Sequence, residues 1–278
     1  MLFRSHNGLK VVGKDITTVK LVVSGAGAAA LACLGLLVKM GLKRENIIVT
    51  DIEGVVYKGR TKLMDPDKDI YAVDTPARTL GEVIGGADVF LGVSAGGVLK
   101  QDMVRRMAER PLILALANPE PEILPALVRE VRPDAVIATG RSDYPNQVNN
   151  VLCFPFVFRG ALDAGATTIN DDMELAAVRA IAELAQAEQS DEVTAAYGER
   201  QQPFGPDYII PRPFDPRLIA QVAPAVAKAA MDSGVATRPI TDFDAYRDRL
   251  NQFVYQSGQI MRPVFAAAKK AQIGRAHV

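Results

Sequence analysis

A short apolar strand that runs into a glycine turn and a helix constrains this chain more than any other part of its sequence. Residues 20–24 form a β-branched run that is typical of a buried parallel strand. Gly25, Gly27 and Ala30 follow in the pattern G-x-G-x-x-A. The first glycine permits a sharp turn, the second leaves room for a pyrophosphate, and Ala30 lets the helix pack closely on the strand. The pattern predicts a dinucleotide whose pyrophosphate is bound at the helix N-terminus, where free N–H groups and the dipole favour anions.

The end of the next strand supports this interpretation. Residues 47–50 form a second apolar strand that ends at Asp51, about 20 residues past the glycines, where a ribose hydroxyl is bound in such domains. The alternative is a glycine turn without a ligand, with Asp51 as a solvated strand end. Lys58 and Arg60 follow Asp51. Either could reach a ribose 2′-phosphate, and a solvated loop explains them equally well.

Composition narrows the class of protein and its partners. The chain has 278 residues, of which 49% are hydrophobic, so it can bury a large core. Lysine and arginine together number 32, as do aspartate and glutamate, and this balance favours neither nucleic acid nor a membrane as a partner. No apolar run has membrane-spanning length. Cys33 and Cys153 lie in apolar segments, which indicates reduced core thiols in a cytoplasmic protein.

Strands alternate with helices over the first half of the chain. Three further strands are predicted at 88–93, 111–117 and 134–139. Short helices are predicted at 69–73 and 79–84, and from residue 151 onward the pattern is helical. The predicted fold class is therefore α/β, a doubly wound parallel sheet of Rossmann type with additional C-terminal helices.

Polar residues follow the later strands of this predicted sheet. Ser94 follows the third strand, Asn118 the fourth, and the loop 140–150 the fifth. Open α/β sheets bind ligands at the carboxyl ends of their strands, so these residues are candidates for contact with a small polar substrate. The loop 140–150 is explained equally well as a turn that caps the following helix.

The two ends of the chain differ in composition from the segments that they adjoin. We expect residues 1–8 and 272–278 to be artefactual tails, because they read like translated adapter sequence. Residues 9–240 are predicted to form one nucleotide-binding domain. Residues 241–271 are amphipathic and more charged, and they are predicted to be a helical linker toward a further domain that this chain lacks.

Groups that could transfer protons or bind metals are scarce. The two histidines, His6 and His277, lie in the expected tails, so the folded part offers no histidine base. Asp171, Asp172 and Glu174 could be described as a metal cluster. Their position in the first turn of a predicted helix explains them better, because acidic side chains there interact favourably with the helix dipole.

The motifs together resemble one known family. The chain resembles the dinucleotide-binding domain of malic enzymes, and most of all the large bacterial NADP-dependent type that carries a phosphotransacetylase-like domain at its C-terminus. The resemblance covers residues 8–271. It is specific at segments that include VVSGAGAAA (22–30), LILALANPEPEI (112–123) and TGRSDYPNQVNN (139–150), and the last two together are far more selective than the glycine motif.

The resemblance implies an activity and roles for individual residues. The implied reaction is oxidation of malate by NADP or NAD, followed by decarboxylation to pyruvate and CO2 with a divalent metal, Mg²⁺ or Mn²⁺. Asp51 would face the adenosine ribose and Ser94 the nicotinamide side. Asn118 and Asn150 would hold malate beside the nicotinamide, where Asn118 also contacts the cofactor. The pyrophosphate would be held by Gly25, Ala26, Gly27, Ala28 and Ala30.

The resemblance implies further properties of the chain, and the residues leave the choice of cofactor and two other functions as alternatives. The family's catalytic lysine, tyrosine and metal carboxylates precede the matched region, so this chain is expected to be a fragment without catalytic residues or metal ligands. When full length, the protein is expected to be a homo-oligomer. Asp51 favours NAD because a carboxylate repels a 2′-phosphate, whereas the resemblance favours NADP. The alternatives are a non-catalytic dinucleotide-sensing module and another Rossmann oxidoreductase, such as an amino-acid dehydrogenase.

Overall fold

A computed structural model describes residues 2–187, 203–213 and 215–254, and these fall into two compact units. The first unit is Met1–Asn150 with Ala185–Pro213, and the second is Val151–Leu184 with Phe214–Val278. The predicted single domain over 9–240 therefore extends across parts of both units. The expected tail at 272–278 and the predicted linker beyond residue 254 lie outside the described residues.

The first unit contains a six-stranded sheet in the order β3-β2-β1-β4-β5-β6. All neighbouring pairs are parallel except β2 and β3. The strands are β1 (Leu21–Ser24), β2 (Ile47–Asp51), β3 (Gly54–Val55), β4 (Val89–Gly92), β5 (Leu112–Ala115) and β6 (Val136–Thr139). The predicted parallel sheet is confirmed. The antiparallel β3 was not predicted, because two residues are too few to show a periodic pattern.

The strands are buried on both faces. Val22, Phe90 and Ile113 join one core cluster, together with side chains from the following helices. Leu21 and Leu112, one position earlier in their strands, are equally buried and point to the opposite face. Burial on both sides explains why these strands read as continuous apolar runs rather than as an alternating pattern.

The helices of the first unit flank this sheet. They are α1 (Leu2–Val12), α2 (Ala28–Lys39), α3 (Pro66–Asp69), α4 (Leu80–Val83), α5 (Gln101–Arg105) and α6 (Pro125–Val131). The sequence predicts a turn and helix start at 65–67 as well as a helix over 69–73, and the structure has one short helix that begins at Pro66 and ends at Asp69. Asp65 sets that start, because its side chain accepts a hydrogen bond from the backbone of Lys68 at 2.9 Å.

Helix α1 includes most of the segment 1–8, which is expected to be an artefactual tail. Ser5 and Asn7 are buried, and a Cβ on Gly8 would lie 2.7 Å from the side chain of Leu112 in β5. The Asn7 amide donates to the carbonyl of Ile209 at 3.0 Å and accepts from Gln186 at 2.9 Å. Residues 5–8 are therefore part of the first unit.

The second unit is helical, as predicted for the C-terminal part. Its helices are α7 (Phe154–Asp163), α8 (Asp171–Gln186), α9 (Arg217–Asp232) and a helix over 243–254. Asn170 caps α8 by accepting from the backbone of Met173 at 3.1 Å, which supports the interpretation of the acidic residues as helix-end charges. Tyr246 is buried and donates to Asp163 at 2.7 Å, and Leu250 is buried too, so the segment around these two residues packs into this unit.

Candidate dinucleotide-binding site

The turn after β1 has the geometry that its glycine was predicted to provide. Gly25 has a φ of +109°, which L side chains rarely adopt. Its N–H donates to the carbonyl of Thr50 at 2.8 Å, and a Cβ on it would lie 2.6 Å from the carbonyl oxygen of Val93. Position 25 therefore requires glycine, because the backbone there has a positive φ and lies too close to Val93, the residue after β4, for a side chain.

The N-terminus of α2 forms an open cradle. Gly27 is the N-cap residue, and it has no side chain that could cap the helix. A Cβ placed on Gly27 would have no protein atom within 4 Å. Ala28 is exposed, whereas Ala26 and Ala30 are buried against the domain. The first N–H groups of a helix have no partner within it, so this exposed end can donate to an anion. The cradle fits a pyrophosphate in both space and charge.

Asp51 at the end of β2 lies in a buried cluster of charges. Its Oδ2 accepts from Arg60 and, at 3.2 Å, from the ammonium of Lys68. The three side chains are at most 10% exposed. Burial raises the pKa of Asp51, but the hydrogen bonds that the carboxylate accepts, chiefly from Arg60, outweigh it and hold the pKa below its ordinary value.

This cluster changes both interpretations of Arg60. Its guanidinium donates to the carbonyls of Lys62, Gly54 and Val55 as well as to Asp51, so Arg60 is neither a solvated loop residue nor a free phosphate partner. Lys58 is exposed. Lys68 was missed in the sequence because it is 17 residues from Asp51, and their pairing depends on how the intervening loop folds back. One carboxylate lies against two cations, so the cluster has a formal excess of one positive charge.

Ser94 lies at the point where the strand order reverses. β1 and β4 are neighbours, and the chain continues from β1 to β2 on one side and from β4 to β5 on the other. The hydroxyls of Ser24, which ends β1, and Ser94, just after β4, are 2.8 Å apart. Doubly wound sheets bind their ligands in the crevice at such a reversal. The structure therefore places Ser94 where the sequence analysis expected the ligand.

Glu122 is a site residue that the sequence analysis missed. It is fully buried, and its carboxylate accepts from the backbone N–H of Ser94 at 2.8 Å and of Ala117 at 3.0 Å. In the sequence it cannot be told apart from Glu120, two residues earlier, which is exposed. The space left by Gly92, in another strand, is what distinguishes the two glutamates.

The two predicted substrate residues lie after the last two strands of the sheet. Asn118 and Asn150 are both exposed, and within residues 2–187, 203–213 and 215–254 neither side-chain amide is bonded to another protein group. Asn146, in the loop before Asn150, is buried instead. Its amide donates to Ile137 and accepts from Ile209 at 2.9 Å, so one end of this loop is fixed. Asn118 follows β5 closely and Asn150 lies at the end of the loop after β6, and an exposed amide at either place can donate to a carboxylate.

The described residues also provide information on metal-binding groups, membrane-spanning helices and cavities. No group of three or more His, Cys, Asp or Glu side chains in the described ranges could hold a metal ion. In that same part of the chain, no helix is both long and apolar enough to cross a membrane. A cavity of about 710 Å³ lies between α5 and α6, beside Glu120; it is lined by Arg141 of the predicted loop 140–150 but not by Ser94, Asn118 or Asn150.

The fold and the site together define a class of protein. A parallel sheet with a strand-order reversal, a glycine turn at that reversal and an open helix N-terminus is a Rossmann-type dinucleotide-binding domain. The family follows from comparison with known proteins. The family model for the malic enzyme NAD-binding domain matches residues 5–197, and this chain belongs to that family.

Relatives and solved structures agree with this assignment. The chain is 67% identical to the NADP-dependent malic enzyme of Salmonella typhimurium over 95% of its own length and 35% of the relative's. It is 66% identical to an NAD-dependent malic enzyme of Rhizobium meliloti over 97% of its length, again 35% of the relative's. The crystal structure of Entamoeba histolytica malic enzyme superposes with a TM-score of 0.80 at 32% identity, covering 95% of this chain and 54% of that one.

Two facts follow from these comparisons. The chain spans about a third of the length of the bacterial relatives that it matches. Relatives of nearly equal identity carry the names NADP-dependent and NAD-dependent, so overall similarity does not decide which cofactor this chain prefers. That preference has to be argued from the residues around Asp51.

Proposed function

We propose that this chain is the cofactor-binding part of an enzyme that oxidises malate and decarboxylates the product to pyruvate and CO2, with reduction of NADP or NAD. The observation that carries the proposal is the glycine turn at the strand-order reversal, next to an open helix N-terminus. Membership of the malic enzyme NAD-binding family supports the reaction class. The bound cofactor would accept the hydride that leaves the alcohol carbon of malate.

The residues of this chain would bind and orient the reactants. The N–H groups at the start of α2, around Gly27 and Ala28, would hold the pyrophosphate. Ser94 would lie on the nicotinamide side, next to the reversal. The amides of Asn118 and Asn150 would fix malate, because rigid donors to a carboxylate and a hydroxyl align the carbon that loses hydride with the ring. Amides do not take up a proton, so these residues would position the substrate and not act as its base.

We propose further that NADP is preferred over NAD. A lone Asp51 carboxylate would repel a 2′-phosphate, but here it is paired with Arg60 and Lys68. The cluster therefore offers a net positive charge at the place where the adenosine ribose would lie. Lys68 is the better candidate for the phosphate, because Arg60 is already used by three backbone carbonyls.

Lys68→Gln tests this preference. We expect the variant to weaken NADPH binding about 10-fold while changing NADH binding less than 3-fold, since only NADPH carries the extra phosphate. Calorimetric titration of both cofactors measures the ratio. Lys58→Gln, the same change at an exposed lysine, is the matched control. If the two substitutions lower the NADPH affinity equally, or if Lys68→Gln lowers both affinities equally, the assignment of Lys68 is wrong.

Turnover separates the proposed function from its alternatives. We expect the chain to bind NADPH but to form it from malate and NADP with Mg²⁺ at a rate near background, because no group of three or more His, Cys, Asp or Glu side chains in the described ranges could hold the metal ion. The same assay on a natural full-length protein should show malate-dependent NADPH formation. If that protein binds NADPH but does not oxidise malate, the sensing module becomes the better interpretation.

The setting of the protein is part of the same proposal. We propose a cytoplasmic enzyme that works as a homo-oligomer with malate and pyruvate as its small-molecule partners and with neither nucleic acid nor a membrane. The balanced charge of 32 basic and 32 acidic residues supports this setting. Sedimentation of the full-length protein would measure its oligomeric state.

A further inference from the structure

A buried carboxylate joins the ends of three strands at the candidate site. The Glu122 side chain is inaccessible to solvent, and one of its oxygens accepts from both the N–H of Ser94 at 2.8 Å and the hydroxyl of Ser94 at 3.2 Å. The other oxygen accepts from the N–H of Ala117 at 3.0 Å. Ser94 follows β4 and Ala117 follows β5, so a single side chain fixes both strand ends.

The strand beneath this carboxylate is built to accommodate it. Gly92 is the last residue of β4, and a Cβ on it would lie far inside contact distance of the Glu122 carboxyl carbon. A glycine is therefore required at this position for Glu122 to reach the two strand ends. The arrangement is specific to Glu122, because Glu120 in the same turn is exposed.

The Glu122 carboxylate is also linked to β1, through the hydroxyl of Ser94. The hydroxyl of Ser94 lies between Glu122 and the hydroxyl of Ser24, at 3.2 Å and 2.8 Å. β1 and β4 flank the reversal of strand order, which is where a cofactor is bound in this class of fold. Ala117 directly precedes Asn118, so the same carboxylate holds the backbone that carries the candidate substrate amide.

We propose that Glu122 is a positioning residue for the nicotinamide end of the bound cofactor, acting through Ser94 and Asn118. The inference rests on the proposed function, since it presupposes a dinucleotide in the crevice. Glu122 is too buried to touch the ligand. Its effect is to hold two strand ends in one arrangement, so that the cofactor does not have to order them when it binds.

Glu122→Gln tests the proposal with two ligands. NADPH reaches the whole crevice, whereas 2′-phospho-ADP-ribose keeps the adenosine, the 2′-phosphate and the pyrophosphate but has no nicotinamide. The amide in Glu122→Gln has one oxygen where the carboxylate has two, so it turns an N–H toward a backbone donor. We expect NADPH affinity to fall about 10-fold and 2′-phospho-ADP-ribose affinity to stay within about 2-fold of the unsubstituted chain.

Matched variants make the outcome decisive. Glu120→Gln, the same change at an exposed position, should leave both affinities unchanged. Ser24→Ala removes one contact of the Ser94 hydroxyl and keeps Glu122, and it should lower NADPH affinity selectively by about 3-fold. If Glu122→Gln does not fold, as judged by circular dichroism, Ser24→Ala carries the test. Equal losses for both ligands, or no loss for either, would overturn the positioning role.

The unsubstituted chain separates this inference from the function on which it rests. If it binds neither NADPH nor 2′-phospho-ADP-ribose, the proposed function fails and Glu122 is only a structural residue. If it binds both, and the variants do not discriminate between them, the function stands and the inference about Glu122 is wrong.

Discussion

The substitution Gly27→Val should leave the chain folded and weaken NADPH binding by at least about 100-fold, or about 3 kcal/mol. The position is exposed, its φ of −85° suits any residue, and a Cβ there meets no protein atom within 4 Å. Valine is a poor N-cap residue, so we expect a loss of about 1 kcal/mol in the free energy of unfolding. The branched side chain would occupy the space through which the pyrophosphate approaches the helix N-terminus.

Calorimetric titration with NADPH and a thermal unfolding curve measure the two effects separately. Gly35→Ala is the matched control, because Gly35 lies inside α2 and a Cβ on it also meets nothing within 4 Å. That change should stabilise the helix by about 0.5–1 kcal/mol and leave NADPH binding unchanged. If Gly27→Val binds NADPH as tightly as Gly35→Ala does, the pyrophosphate is not bound at this turn.

The substitution Arg60→Met should cost about 3–5 kcal/mol in the free energy of unfolding. The Arg60 side chain is 3% exposed and pairs with Asp51, which is 10% exposed, while it also satisfies three backbone carbonyls. Methionine keeps much of the volume but removes the donor to the three carbonyls and leaves Asp51 with Lys68 as its cation. Denaturant unfolding, with the slope compared between variants, measures the loss.

A neighbouring lysine provides the control for Arg60. Lys62 forms an ion pair with Glu53 at 2.7 Å, but its side chain is 72% exposed, so Lys62→Met should cost no more than about 1 kcal/mol. An equal loss for the two variants would show that Arg60 is not a buried partner.

The pKa of Asp51 is lower in the folded chain than in the unfolded chain, where it is about 3.9. The ionised carboxylate therefore stabilises the folded chain above the unfolded pKa, and this contribution is lost as the pH falls through the folded pKa. Arg60→Met should therefore unfold at a higher pH during acid titration.

The sheet could be predicted from the sequence because its signals are local. Each parallel strand is a short, mainly apolar run, and the predicted runs around residues 88–93 and 134–139 contain β4 and β6. Gly25 was predicted from spacing alone, and its positive φ agrees with that prediction. The early part of the chain shows the opposite case. The segment 1–8 looked foreign in composition, yet Gly8 packs against Leu112 of β5, about a hundred residues away.

The residues that the sequence analysis missed depend on contacts between distant segments. Glu122 is buried because Gly92, in another strand, leaves space for it, and no pattern within one segment shows this. Asp51 by itself favours NAD, and Arg60 was considered as a partner of the 2′-phosphate, whereas the structure pairs Arg60 and Lys68 with the Asp51 carboxylate. Such pairings are set by how loops fold back on the sheet, which periodicity and composition do not encode.

The most direct test of the site is a map of backbone amide chemical shifts during titration of the chain with NADPH. We predict saturable binding of NADPH, with the largest chemical-shift changes at residues 25–30 and further changes at Ser94 and near Asp51. These are the amides at the helix N-terminus and at the neighbouring strand ends. Saturable shifts that leave residues 25–30 unperturbed, or the absence of any saturable shift, would contradict this prediction.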